Sequence, residues 1–313
     1  EYLSDGLSES LIYRLSQLPS LRVSPTSSVF RYKGKEIDPI KVGNELGVSA
    51  VLSGRITQRG ENLTISVELV DVRNGKSLWG EHYDRKSSEL LATQREIARE
   101  IVDNLQLKVS GQERALTKHY TENNEAYQFY LKGRFYWNTR SAAGFKKASE
   151  QFQNAVDKDP SFALAYVGLA DCYVVMEQYA GVPSSESLPK ARAAVVRALQ
   201  IDDSLAEAHA SLGLINEHLW QVADAEKEYK RAIELNPNYP TVHHWYALLL
   251  FVTGRLDDGM AEIKRAQQLD PLSAVITANV GNHYFARGDL NAAVEEYKKA
   301  MELNPNFGLA HSF

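Results

Sequence analysis

Apolar residues return along this chain in two rhythms, and the change from one to the other divides it. Leu7, Leu11, Ile12, Leu15 and Leu18 follow the 3.6-residue spacing of a helix, which Pro19 ends. Leu21-Arg22-Val23-Ser24 reads as a short strand, followed by turn-like residues through Thr26-Ser27-Ser28 and then Val29-Phe30-Arg31-Tyr32. Asp38-Pro39 supplies an N-cap and a first helical residue with its φ already set; that helix turns Val42 and Leu46 inward and stops at Gly47. Ala50 to Gln58 reads as a strand, and strand, helix, strand predicts a right-handed parallel crossover. Leu63, Ile65, Val67 and Leu69 alternate with Thr64, Ser66 and Glu68, as in a strand buried on one face. Asn74-Gly75 predicts a two-residue hairpin turn into Ser77–Tyr83, with Trp79 and Tyr83 on one face. A long helix carrying Leu90, Ile97, Ile101 and Leu105 on its buried stripe closes this α/β region.

From residue 206 onward a pattern recurs every 34 residues. Pro237, Pro271 and Pro305 each follow Leu-Asn or Leu-Asp, and Ala232, Ala266 and Ala300 stand five residues earlier. Ala225, Gly259 and Ala293 precede Tyr229, Ile263 and Tyr297; before these come Leu212-Gly213, Tyr246-Ala247 and Val280-Gly281. Small residues at fixed positions let two helices approach closely, and the proline halts the second one. Looser copies occupy 125–160, with Gly133, Tyr136, Ala148, Phe152, Ala155 and Pro160, and 161–205, with Tyr166, Leu169, Ala170, Tyr173, Ala191, Val195 and Ala198. Asp203 stands where that second copy's proline belongs, and some nine residues near Tyr179–Ser185 are inserted between its helices. A lone unit cannot bury enough apolar surface to offset its ordering entropy, so neighbours must stack.

These residues resemble the tetratricopeptide (TPR) repeat, a helix-turn-helix unit. The order of elements over residues 1–109 resembles the TolB-like amino-terminal domain of bacterial regulatory proteins. It does so through Ser4-Asp5-Gly6-Leu7, Arg22-Val23, Leu46-Gly47-Val48, Leu69-Val70-Asp71 and Leu78-Trp79-Gly80-Glu81-His82-Tyr83-Asp84-Arg85. The fold expected is an α/β domain with a small mixed sheet at 1–109, a linker at 110–124, and an all-α TPR superhelix over 125–313. Its units fall at about 125–160, 161–205, 206–239, 240–273 and 274–307, with the start of a sixth.

Composition narrows function mostly by exclusion. The chain is 44% hydrophobic and 24% charged, ordinary values for a soluble globular protein. Residues 1–120 hold 17 basic against 16 acidic side chains, a net of +1, and the remainder 18 against 24, a net of −6, so neither part has the basic excess of a nucleic-acid surface. Cys172 alone can form neither an internal disulfide nor a cysteine-based zinc site. No apolar run approaches the roughly 18 residues of a membrane span. A chain that opens on Glu1 and stops at Phe313, within the first helix of a further repeat, reads as a piece of a longer protein. Cytoplasmic residence is the default expectation.

Chemistry-bearing residues mostly carry structural readings. His209, His243 and His311 share one repeat position and read as inter-helix packing rather than a metal site, although His243-His244 is a tempting pair. Glu226, Glu228 and Glu295-Glu296 read as solvated helix faces; Trp79, Trp137, Trp220 and Trp245 read as core or helix-packing residues. No phosphate loop, nucleophile elbow, cofactor site or catalytic constellation is expected. The TPR resemblance implies a concave groove lined by the second, fifth, ninth and twelfth residues of each first helix. Those are Glu207, Ala210, Leu214 and Glu217; Thr241, His244, Leu248 and Phe251; Val275, Ala278, Asn282 and Phe285. That lining suits an amphipathic or extended peptide, and it lacks the basic residues that capture a terminal carboxylate. The function implied is a non-catalytic interaction and signal-input region of a bacterial regulator. The alternative is the regulatory segment of a serine/threonine kinase, a nucleotide cyclase or a winged-helix transcription regulator.

Overall fold

The computed structural model describes residues 2–18, 20–35, 38–105, 120–139 and 141–304. Pro19, most of the 110–124 linker, Pro305, His311 and the start of a sixth unit lie outside the described residues. Helix α1 (Tyr2–Ser16) is followed by a short α2 (Thr26–Val29), a 3-10 turn (Phe30–Tyr32) and α3 (Pro39–Leu46). Then come β1 (Ala50–Arg59), β2 (Asn62–Asp71), β3 (Ser77–Lys86) and α4 (Leu90–Asn104). Asp38 caps α3 by accepting from Ile40 N at 2.9 Å, and Gly47 ends it at φ 64°.

The sheet is antiparallel throughout, in the order β1-β2-β3, so the parallel crossover does not form. Its expected first strand is absent because residues 21–25 have other partners: the Leu21 carbonyl accepts from Asn238, and Arg22 donates to the Gln268 and Gly47 carbonyls. Tertiary contacts have overridden a local β preference. The β2–β3 connection is also longer than two residues. It runs from Val72 to Lys76 with Gly75 at φ 69°, beside a register shift at Leu69/Val70. Ile65, Tyr83, Leu90, Ile97 and Ile101 form the floor on which α1 lies, with Leu3, Leu7, Leu11 and Leu15 buried.

Among the described residues of the repeat region, ten helices pair into five hairpins: α5 (Asn124–Trp137) with α6 (Ala142–Lys158), α7 (Ala163–Ala180) with α8 (Ser184–Ile201), α9 (Ala206–His218) with α10 (Val222–Leu235), α11 (Pro240–Val252) with α12 (Leu256–Leu269), and α13 (Ala274–Ala286) with α14 (Leu290–Leu303). The small residues are forced by geometry. A Cβ on Gly213 would meet the Tyr229 ring at 2.6 Å, and one on Gly281 would meet Tyr297 at 2.5 Å. The Asn or Asp at each unit junction closes an Asx turn, as where the Asn236, Asp202 and Asp159 side chains accept from the backbone of Asn238, Ser204 and Ser161. The insertion in the second unit lengthens helices rather than making a loop: α7 and α8 have 18 residues each, separated only by Gly181–Pro183.

Candidate functional site

The repeat register places the inner-face residues of all five units, and their surroundings change along the array. Counted as in the regular units, Tyr127, Tyr130, Arg134 and Trp137 are the inner residues of the first unit, and Leu164, Val167, Asp171 and Val174 those of the second. Tyr127, Trp137, Leu164, Val167 and Val174 are all buried. What covers the first unit is α1. Gly6 sits so close to α5 that a Cβ there would lie 2.7 Å from Leu131 Cδ2. Tyr127 Oη donates to Ser10 Oγ at 2.9 Å, and Arg134 Nε to Glu9 Oε1 at 2.7 Å, with Nη2 on the same oxygen. Burial opposes the Arg134 charge, but the Glu9 carboxylate more than offsets it and raises the guanidinium pKa. Apolar packing is continuous from the sheet through α1 into the first two units.

From the last turn of α1 onward the chain keeps moving along the array in the same direction. Tyr13 Oη and Gln17 Nε2 donate to the Glu207 carboxylate of the third unit at 3.2 and 3.4 Å. Leu21 O accepts from Asn238 at the next junction, and Arg22 Nη1 donates to Gln268 O at 3.2 Å in the fourth unit. Ser27 and Ser28 both donate to Asp270, the former at 2.6 Å. Arg31 reaches the carbonyls of Leu272 at 3.5 Å and Leu303 at 3.4 Å. Leu272 also packs on the cluster of Val42, Leu46, Val51 and Val72.

The twelve expected groove residues therefore do not form one open trough. Glu207 is held by the α/β domain, and burial pushes its carboxyl up to about 7 despite the bonds from Tyr13 and Gln17. Ala210 and Ala278 are buried; Leu214 packs against the core that includes α1; Glu217 accepts from Tyr229 Oη at 2.7 Å. Thr241, His244, Leu248, Phe251 and Asn282 are half-buried, whereas Val275 and Phe285 are 38% and 54% exposed. His244 and Asn282 belong to one directed chain. Tyr297 Oη donates to Asn282 (2.8 Å), Asn282 to Asn279 (3.0 Å), and Asn279 to His244 Nε2 (2.8 Å). An imidazole that accepts at Nε2 is neutral, and burial lowers its pKa to about 4.

Other expectations meet mixed outcomes. His209 is an inter-helix group, its Nδ1 2.6 Å from Glu228 and its Nε2 3.0 Å from Asp203 O; the same two distances recur at His243 with Glu262 and Pro237 O. Burial works against the His209 charge, but these acceptors outweigh it and raise the pKa. The carboxylates are not idle surface groups: Glu226 accepts from Lys230, Arg255 and Tyr246, and Glu296, 7% exposed, is paired with Lys264 and Lys299. Trp220 is not a packing residue. It is 78% exposed at φ 56°, in the helix turn where the next two units have Gly254 and Gly288. Cys172 is buried, which pushes its thiol pKa up. The docking of α1 was missed by sequence reasoning, though a glycine inside its helical stripe signalled it: Gly6 makes room for Leu131.

Known proteins resemble both parts. Residues 206–239 and 281–312 match profiles for tetratricopeptide and TPR repeats, and residues 1–102 match the HilA/YgeH-like transcriptional regulator, second domain. The chain is 29% identical over 228 residues to a putative adenylate cyclase 3 of Rhizobium meliloti (strain 1021), covering 72% of this chain and 39% of that one. It is 25% identical over 254 residues to the transcriptional regulator HilA of Salmonella typhimurium, covering 80% of this chain and 44% of the regulator. The chain thus spans about two fifths of the length of these curated relatives. A thermophilic TPR protein of Thermus thermophilus shares the fold, with a TM-score of 0.51, 18% identity and coverage of 60% of this chain and 95% of that one. Among the described residues no helix is long and apolar enough to cross a membrane.

Proposed function

We propose that this chain is a non-catalytic, protein-binding and signal-input region of a bacterial regulator, in which the fourth and fifth repeat units receive a polypeptide. The observation that carries the reading is the change in covering along the inner face: α1 fills the first unit, while Val275 and Phe285 are 38% and 54% exposed and Leu248 and Phe251 are half-buried. An uncharged apolar surface with a few polar groups fits the side chains of an extended or helical peptide. In this reading residues 1–109 are a TolB-like input module and the repeats are the scaffold. A second reading makes the chain the regulatory segment of a larger signalling enzyme, a nucleotide cyclase or a serine/threonine kinase. The resemblance to a putative adenylate cyclase favours the cyclase form, and the resemblance to HilA favours a transcription regulator. Affinity capture with the intact chain tests the shared core of these readings. His244→Glu, Asn282→Arg or Phe285→Asp should each remove specific partners and leave helical circular dichroism unchanged. Identical partner recovery from all three variants refutes the groove as a binding site.

A further inference from the structure

Contacts of residues 6–31 with the repeats run in register with both sequences: Gly6 and Glu9 with the first unit, Tyr13 and Gln17 with the third, Arg22 and Ser27 with the fourth, Arg31 with the fifth. A peptide ligand threaded along a solenoid makes contacts in this order, whereas a domain docked by one face has no reason to. The two parts of this cis ligand differ in strength. Helix α1 is buried between the sheet and α5. Residues 21–25 have no regular structure, and among residues 20–32 only Ser28 is buried, with Arg22, Ser27 and Arg31 exposed. Segments with few buried contacts open first.

The surface beneath this weaker part has a distinct chemistry. It presents the Asp270 carboxylate and the carbonyls of Gln268, Leu272 and Leu303 at or just beyond the ends of α12 and α14, where helix dipoles leave partial negative charge. Lys264 of α12 and Lys299 of α14 are paired with Glu296. Such a strip selects hydroxyl and guanidinium donors.

We propose that residues 20–32 are a tethered ligand that keeps this strip closed, and that the polypeptide displacing them presents hydroxyls and an arginine from short helical turns, spaced as in Ser27-Ser28-x-x-Arg31 of α2 and the 3-10 turn that follows it. This rests on the array binding a polypeptide and adds how that binding is gated and what chemistry it selects. A tether gives its ligand a high effective concentration, so a free copy competes poorly until the tethered contacts are weakened.

The test uses the intact chain and, as probe, a fluorescein-labelled synthetic peptide with the sequence of residues 17–35, read by fluorescence anisotropy. Ser27→Ala with Arg31→Ala removes donors but leaves the strip intact, so probe affinity should rise at least tenfold over wild type. Adding Asp270→Asn, which keeps the side chain found at the equivalent Asn236 and Asn304, should abolish that gain, and a probe with Glu in place of Arg31 should bind none of the chains. Hydrogen exchange should quicken in residues 20–32 of the Ser27→Ala, Arg31→Ala chain and stay unchanged in α1 and the repeats. Equal probe affinity in wild type and that variant, or faster exchange throughout the chain, overturns the proposal. A variant that takes the probe yet captures no foreign polypeptide supports the gate and refutes the proposed function.

Discussion

Replacing Arg134 with Met removes a guanidinium and leaves Glu9 charged between α1 and α5. The two side chains are 11% (Glu9) and 23% (Arg134) exposed and are joined by two hydrogen bonds, with Asn138 Nδ2 a third donor to Glu9 at 3.2 Å. An exposed ion pair contributes no more than about 1 kcal/mol. Stripping one partner from a buried pair costs roughly 3–5 kcal/mol, because the surviving charge stays in a poorly solvated site. Some water still reaches both groups, which places Arg134→Met at the low end, about 3 kcal/mol. The loss falls on α1 docking rather than on the repeats, so the readout is hydrogen exchange of α1 amides, which should quicken roughly 150-fold. Adding Glu9→Gln discharges the stranded carboxylate and should restore about 2 kcal/mol of that loss, a coupling that a mere loss of packing would not show. Acceleration below about fivefold, the effect of a surface pair, would refute the reasoning.

Three further outcomes follow from the same contacts. A carboxyl whose folded pKa is raised stabilises the fold below its unfolded pKa and loses that contribution as pH rises through about 7, so docking should weaken from pH 4.5 towards 7 in wild type and lose that slope in Glu207→Gln, as read from urea midpoints. Trp220→Gly removes a bulky residue from the left-handed region and should stabilise the chain by about 1 kcal/mol in equilibrium unfolding; a loss would mean that the indole makes contacts outweighing its backbone strain. Gly213→Ala forces a Cβ to within 2.6 Å of the Tyr229 ring and should cost about 2 kcal/mol, whereas an unchanged midpoint would contradict the close helix approach.

Much of the fold was written in local patterns. The spacing of Pro237 and Pro271 with Ala232, Ala266 and Gly213 specified the helical hairpins, and Asp38-Pro39 with Gly47 marked both ends of α3. What escaped detection depends on contacts between distant parts of the chain. Leu21–Ser24 has a strand's residues but is held along the repeats by Asn238 and the Gln268 carbonyl, about 220 to 250 positions away. Glu207 occupies an inner-face register position whatever lies over it; only the folded chain shows Tyr13 and Gln17 there. Trp220 is large and apolar, so composition alone assigns it to a core, while the glycines at the equivalent turns reveal a position that no core contact stabilises.

Helix α1 lying on the inner face of the first repeat can be trapped covalently. A Cβ at Gly6 would stand 2.9 Å from Leu131 Cβ, so α1 and α5 need separate by only about 0.6 Å to reach the lower end of the roughly 3.5–4.5 Å that disulfides span. With the buried Cys172 changed to Ala, Gly6→Cys combined with Leu131→Cys should close an intramolecular disulfide under mild oxidation of the native chain and none under denaturing conditions. A native chain that stays reduced, or that links only between molecules, would contradict the account.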